Sequence, residues 1–192
     1  MIDWTNKSQV LERVRVDGHE LAFASADLQN DKQIVLTAVR QKGWALEYAS
    51  ENLRDDPDVV RTAVHGSIEA FEFASDRLKD CKETVMFAIA KWPCNFVFAS
   101  ESLRADKEVA LAAVNGCGSA LEFVSDALKD DLEVVLAAVS EQAYAIWNAS
   151  PEILRHVGDS EDPEAKLEEL LEVETVAEFL RKLPNNEDDQ AA

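Results

Sequence analysis

Glycine and proline are scarce in this chain, six and five among 192 residues. That excludes a collagen-like fibre and a proline-rich disordered linker. Cysteine is scarcer still: Cys81, Cys94 and Cys117, an odd number without CxxC spacing. A disulfide framework and a cysteine-based zinc site are excluded on that count, and reduced thiols in a cytoplasmic setting are expected. Basic residues number 19 against 38 acidic ones, a net charge of −19. Such a chain repels phosphate backbones and anionic lipid, so neither nucleic acid nor membrane is expected as a partner; a basic protein is allowed. No apolar run reaches the ~18 residues of a membrane span. The start, MIDWTNKSQV, has neither a basic n-region nor an apolar h-region, so no secretory signal is expected. Without one, the sequons at Asn6 and Asn148 read as chance.

The motifs of chemistry are missing as well. Nothing fits a phosphate-cradling GxxxxGK[ST] or GxGxxG loop. The three histidines, His19, His65 and His156, share no repeat phase and form no metal-ligand pair. Asp55-Asp56-Pro57-Asp58 lacks the glycine and distal glutamate of a calcium loop and reads as helix capping. No serine has a histidine at a fixed offset to act as its base. No catalytic residue, metal or cofactor is therefore expected, and an enzyme is the least favoured class.

What the chain does have is a period. Serine recurs at Ser25, Ser50, Ser75, Ser100, Ser125 and Ser150, every 25 residues without slippage. The units run 6–30, 31–55, 56–80, 81–105, 106–130 and 131–155. In unit two, Ile34, Val35, Ala38 and Val39 have the spacing of a buried helix face. Gly43, with Gly18 and Gly118 in the same phase, is expected to close the first helix as a left-handed cap. A second short helix follows. Ser50 is placed to cap another turn, with Leu53 pointing inward. Leu28, Leu78, Leu103, Leu128 and Ile153 repeat that inward position. Asp31, Asp56, Asp106 and Asp131 are N-cap candidates for the first helices, and Pro57 suits a first helical position. No strand-like alternation occurs. The apolar side chains of one 25-residue copy cannot offset the cost of ordering it, so neighbours must cover each other's faces. The expected fold is all-α: an α-solenoid of two helical pieces per repeat.

The pattern D-K-x-V-V-L-x-A-V-x-x-x-G-x-A-L-x-(F/Y)-A-S-x-x-L-(R/K)-x-D resembles the repeat called DUF4116, a domain of unknown function. The match is close at 106–114 and 43–50 and covers about 6–155. The resemblance implies an α-helical tandem repeat, similar to modules of multi-repeat proteins in intracellular bacteria and protists, some of them translocated effectors. It brings no catalytic residues. Unit four departs from the pattern with Pro93 for glycine and Cys81 for aspartate. Unit six departs with Asn148 for the aromatic and with Pro151.

The array is assigned to 1–161. Residues 162–183, with Leu167, Leu170, Leu171, Val176, Phe179 and Leu180 on an apolar face, are expected to cap it. The acidic tail 184–192 is expected to be disordered. Trp4 is expected to cover the first unit, and Trp147 to meet the cap. Cys94 and Cys117 fall at one corner of successive units, where they could approach or act as apolar fillers. Stretch 84–99 contains no acid. Phe87, Trp92 and Val97 replace smaller or polar residues there, which makes them candidate anchors of an apolar partner-binding window. Trp44 could be an exposed ridge contact or inter-unit packing. The leading expectation is a non-enzymatic protein-interaction scaffold. The alternative is an acidic inhibitor, or nucleic-acid mimic, that occupies a basic groove on a partner.

Overall fold

The computed structural model describes residues 2–157, 162 and 165–169. Among these there is no strand; helices follow one another in a fixed order that recurs every 25 residues. The fold is an all-α helical repeat. Unit two shows the order: an α-helix at Lys32–Gln41, a 3-10 helix at Gly43–Tyr48 and a one-turn α-helix at Glu51–Arg54. Three pieces stand where two were expected. The segment after the glycine closes with i→i+3 bonds (Ala45 N to Lys42 O 2.9 Å, Ala49 N to Leu46 O 3.1 Å). At three residues per turn, Gly43, Leu46 and Ala49 share one side, and all are buried. The turn after the serine then forms a helix of its own.

Each first helix begins as its sequence dictates. Asp31, Asp56, Asp106 and Asp131 each accept two backbone N–H groups of their own first turn, which satisfies donors that the helix leaves orphaned. The apolar stripe then faces the neighbouring units. Val10, Val14, Ile34, Val35, Val39, Val59, Val60, Val85, Val109, Val114, Val134 and Val135 are fully buried in one core cluster. Leu28, Leu53, Leu78, Leu103, Leu128 and Ile153 line the same core at 8 % exposure or less. First helices stack on first helices, and 3-10 helices on 3-10 helices, down the chain.

Two hydrogen-bond ladders run along that stack. The backbone N–H of Ser50, Ser75, Ser100, Ser125 and Ser150 donates to the carbonyl of Gln29, Arg54, Lys79, Arg104 and Lys129 of the preceding unit, at 2.8–3.1 Å. Ser25 finds the same partner in Trp4 O at 3.0 Å. Trp4 also places its ring 5.4 Å from that of Phe23, so it does cover the first unit. In the second ladder, serine hydroxyls donate to the last residue of the preceding unit: Ser50 to Asn30 (2.6 Å), Ser75 to Asp55, Ser100 to Asp80 and Ser150 to Asp130. The same oxygens accept the N–H of Leu53, Leu78, Leu103 and Ile153. The recurring serine is thus both a cap and an inter-unit tie. Ser25 makes no side-chain cap bond, and Ser125 Oγ is buried without a partner.

The glycines serve a purpose other than the expected one. Among the described residues no glycine has a positive φ, so Gly18, Gly43 and Gly118 are not left-handed caps. Each of these three instead opens its 3-10 helix against the next unit's first helix. A Cβ on Gly18, Gly43 or Gly118 would stand 2.3, 2.2 or 2.4 Å from the carbonyl oxygen of Ala38, Ala63 or Ala138. They are there for close backbone approach.

Leu167, in the described part of the expected cap, is fully buried in the core cluster. Residues 163, 164 and 170–183 of that segment, and the tail, lie outside the described residues. Trp147, expected against the cap, is 66 % exposed.

Candidate functional site

The edge built from 3-10 helices and one-turn helices carries the same groove twice. Between units two and three a cleft of about 530 Å³ is lined by four acids, Glu51, Asp55, Glu72 and Asp76, by two cations, Arg54 and Lys79, and by Phe73 and Ser75, among others. Between units four and five its counterpart, about 420 Å³, is lined by Glu101, Arg104, Phe123, Val124, Ser125 and Asp126. Glu51 and Glu101, Phe73 and Phe123, and Asp76 and Asp126 are 50 residues apart, two repeats. An aromatic ring is flanked each time by carboxylates that exposed helix starts present to solvent. That combination suits cations, which gain from both a ring face and a neighbouring negative charge.

The electrostatics are set by inter-unit contacts. The Ser75 hydroxyl, and then the Arg77 guanidinium at 2.9 Å, hold the Asp55 carboxyl below the usual carboxylate range. The Ser100 and Ser102 hydroxyls do the same for Asp80. On the first-helix side a lysine ladder links units: Lys7 to Asp31, Lys32 to Asp56 (2.7 Å), Lys82 to Asp106 (2.8 Å) and Lys107 to Asp131 (2.7 Å). Lys82 and Lys107 also reach Glu108 and Glu133. One rung is absent, between units three and four. There Pro57 replaces the lysine and Cys81 the aspartate, so both charges go together and neither is stranded. Many acids are consumed in this way, Asp55 of the groove among them; Glu51, Glu72 and Asp76 face outward.

A further cleft, about 580 Å³, lies on the first helices of units one and two and is lined by Arg15, Gln33, Leu36, Thr37, Arg40 and Gln41. Two arginines give it the opposite charge.

The anchors expected from the sequence are engaged within the array. Phe87 is half-buried, its ring 5.3 Å from that of His65, with the Arg61 guanidinium 5.3 Å from its centroid. Trp92 is half-buried, and its indole N–H donates to Val64 O at 3.0 Å. It fills the joint between units three and four, where Ile68 stands in the glycine phase. Val97 is half-buried. Trp44 packs between units one and two, 5.1 Å from the His19 ring and 6.2 Å from Tyr48, with the Lys42 ammonium 5.5 Å from its centroid. Among the described residues the exposed large apolar side chains are Val16, Phe23, Ile68, Tyr144 and Trp147. Sequence reasoning missed the grooves. Their signal was a glutamate and an aromatic placed just before the recurring serine, as in Glu72-Phe73 and Glu122-Phe123.

The pattern of helices, capping aspartates and paired serines recurs in full in a known repeat. The description "Domain of unknown function (DUF4116)" matches residues 6–54, 32–79, 56–104 and 106–155. The chain belongs to the DUF4116 family. Each match takes in two consecutive units, so the grooves between units two and three and the tie from Ser50 to Asn30 fall inside single DUF4116 matches. No curated protein and no solved structure matches the chain. Among the described residues no cluster of three metal-ligating side chains exists, and no helix is long and apolar enough to cross a membrane.

Proposed function

We propose that this DUF4116 protein is a non-enzymatic scaffold whose grooves between units take an extended basic segment of a partner protein. The observation that carries this reading is the recurrence of one cleft, an aromatic ring between carboxylates, at Phe73 and at Phe123. A periodic surface suits a ligand that is itself extended, with a lysine or arginine entering each groove. The net charge of −19 speeds the encounter with a basic partner and makes it sensitive to salt.

The alternative, a mimic of a nucleic-acid backbone, needs the carboxylates and not the rings. The test is fluorescence anisotropy with a labelled arginine- and lysine-rich peptide, at low and physiological salt. Glu72→Lys with Asp76→Lys should weaken binding at least tenfold. Phe73→Leu with Phe123→Leu, which leaves the charge unchanged, should weaken it severalfold. Binding that ignores both pairs would overturn the scaffold reading. Binding that responds only to the charge reversal would favour mimicry.

A further inference from the structure

Three thiols are present, and two of them meet. Cys94 follows Pro93 at the start of the 3-10 helix Pro93–Phe98, and Cys117 is the N-cap of the 3-10 helix Gly118–Phe123. Their Sγ atoms lie 3.3 Å apart across the joint between units four and five. Cys94 is exposed and Cys117 half-buried, so a small reagent reaches the pair. Close packing against the Pro93 ring favours the approach: a Cβ on Gly116 would stand 2.4 Å from Pro93 Cγ, so glycine there lets the two corners close. A disulfide bond is ~2.05 Å long, so roughly 1.2 Å of further approach joins the sulfurs.

We propose that Cys94 and Cys117 form a paired oxidation site, which a hydroperoxide converts to a disulfide linking unit four to unit five. One thiolate attacks the peroxide; an S–O bond forms as the O–O bond breaks, the other oxygen leaves as alcohol or water after taking a proton, and a sulfenic acid results. The sulfur of the second cysteine attacks that sulfenic sulfur. An S–S bond forms, the S–O bond breaks, and the hydroxyl leaves as water with the second thiol's proton. Two thiols are oxidised by two electrons, and the peroxide is reduced. Hydrogen bonding to Cys117 pushes the Cys94 thiol above its usual value. The Ser119 hydroxyl lies 3.1 Å from Cys117 Sγ.

The link spans a joint that keeps its backbone bond and its lysine rung but lacks the serine-hydroxyl tie. Ala105 stands where units one, two, three and five end in Asn30, Asp55, Asp80 and Asp130, and Ser125 Oγ consequently has no partner. A covalent tie at this joint holds units four and five together only under oxidant. The third thiol, Cys81, sits in unit four at the start of the first helix Lys82–Lys91 and takes no part.

The test uses the full chain, fully reduced and then treated with hydrogen peroxide, with free thiols alkylated before non-reducing peptide mapping. The expected result is an intramolecular link between Cys94 and Cys117 and an alkylated Cys81, with free thiols falling from three to one. Dithiothreitol should restore all three, and Cys94→Ser or Cys117→Ser should abolish the link. Over-oxidation of Cys94 beside an alkylated Cys117, a link to Cys81, or a link between chains would each overturn the proposal.

Discussion

Gly43 lies so close to Ala63 of the next unit that a Cβ on it would stand 2.2 Å from the Ala63 carbonyl oxygen. That oxygen belongs to a first helix and cannot swing aside as a side chain would. Gly43→Ala must push units two and three apart, at a cost of about 1–3 kcal/mol or more. Gly66→Ala is the control, since its nearest atom would be 3.4 Å away. It should be neutral, or stabilise by up to about 0.5–1 kcal/mol through lower freedom of the unfolded chain. Denaturant midpoints of the two variants should therefore move in different directions, or one should not move at all.

Ser125 and Ala105 give a prediction of gain. Ala105 is exposed, so a larger residue fits. Ala105→Asp rebuilds the tie that Asp55 makes with Ser75 and Asp130 makes with Ser150. The buried hydroxyl of Ser125 then gains an acceptor, worth about 0.5–1.5 kcal/mol. Adding Ser125→Ala should remove the gain. Equal stability of Ala105→Asp with and without Ser125 would show that the bond does not form.

The absent lysine rung can be restored in the same way. Pro57→Lys with Cys81→Asp places a cation and a carboxylate where Lys32 and Asp56 meet in the preceding joint at 2.7 Å. Either change alone leaves a charge without its partner. A double-mutant cycle should return a favourable coupling of about 0.2–1 kcal/mol, the range of exposed ion pairs. Added salt should reduce it.

Acid should loosen the array. The Lys82 ammonium holds the Asp106 carboxyl below its usual value; Ser75 and Arg77 hold Asp55 down, and Ser100 and Ser102 hold Asp80 down. A carboxylate whose pKa is lower folded than unfolded contributes stability that is fully present above its unfolded value, near 3.9. That contribution is lost as pH falls through the folded value. Thermal stability should thus hold from neutrality to about pH 4 and fall below it. Asp80→Asn should blunt the fall.

The fold was legible because its signal is periodic: every capping aspartate, inward leucine and recurring serine could be checked against five other copies. The glycine phase was visible too, but its reason was not. A residue without a Cβ is equally consistent with a left-handed turn and with a close neighbour, and only the position of the next unit separates them. The serine's second bond had a readable cue, the Asn or Asp that closes units one, two, three and five. The loss of that residue at Ala105 predicts the orphaned Ser125. The linked loss of lysine at Pro57 and aspartate at Cys81 likewise marks a contact before any coordinates. Phe87 and Trp92 stood out as pattern breaks, yet a break in a repeat arises from repacking as readily as from a surface. Trp92 is held within the array by its bond to Val64 O. The groove's aromatics were hidden for the opposite reason, since residues that obey the repeat draw no notice.

The central claim is that no unit is stable alone and that each is held by its neighbours. Circular dichroism of chains ending at 30, 55, 80, 105, 130 and 155, followed through guanidinium denaturation, tests it directly. The account predicts little helix in one isolated unit, and a denaturation midpoint that rises with each unit added. A single 25-residue unit that folds by itself, or a midpoint that does not depend on how many units are present, would contradict it.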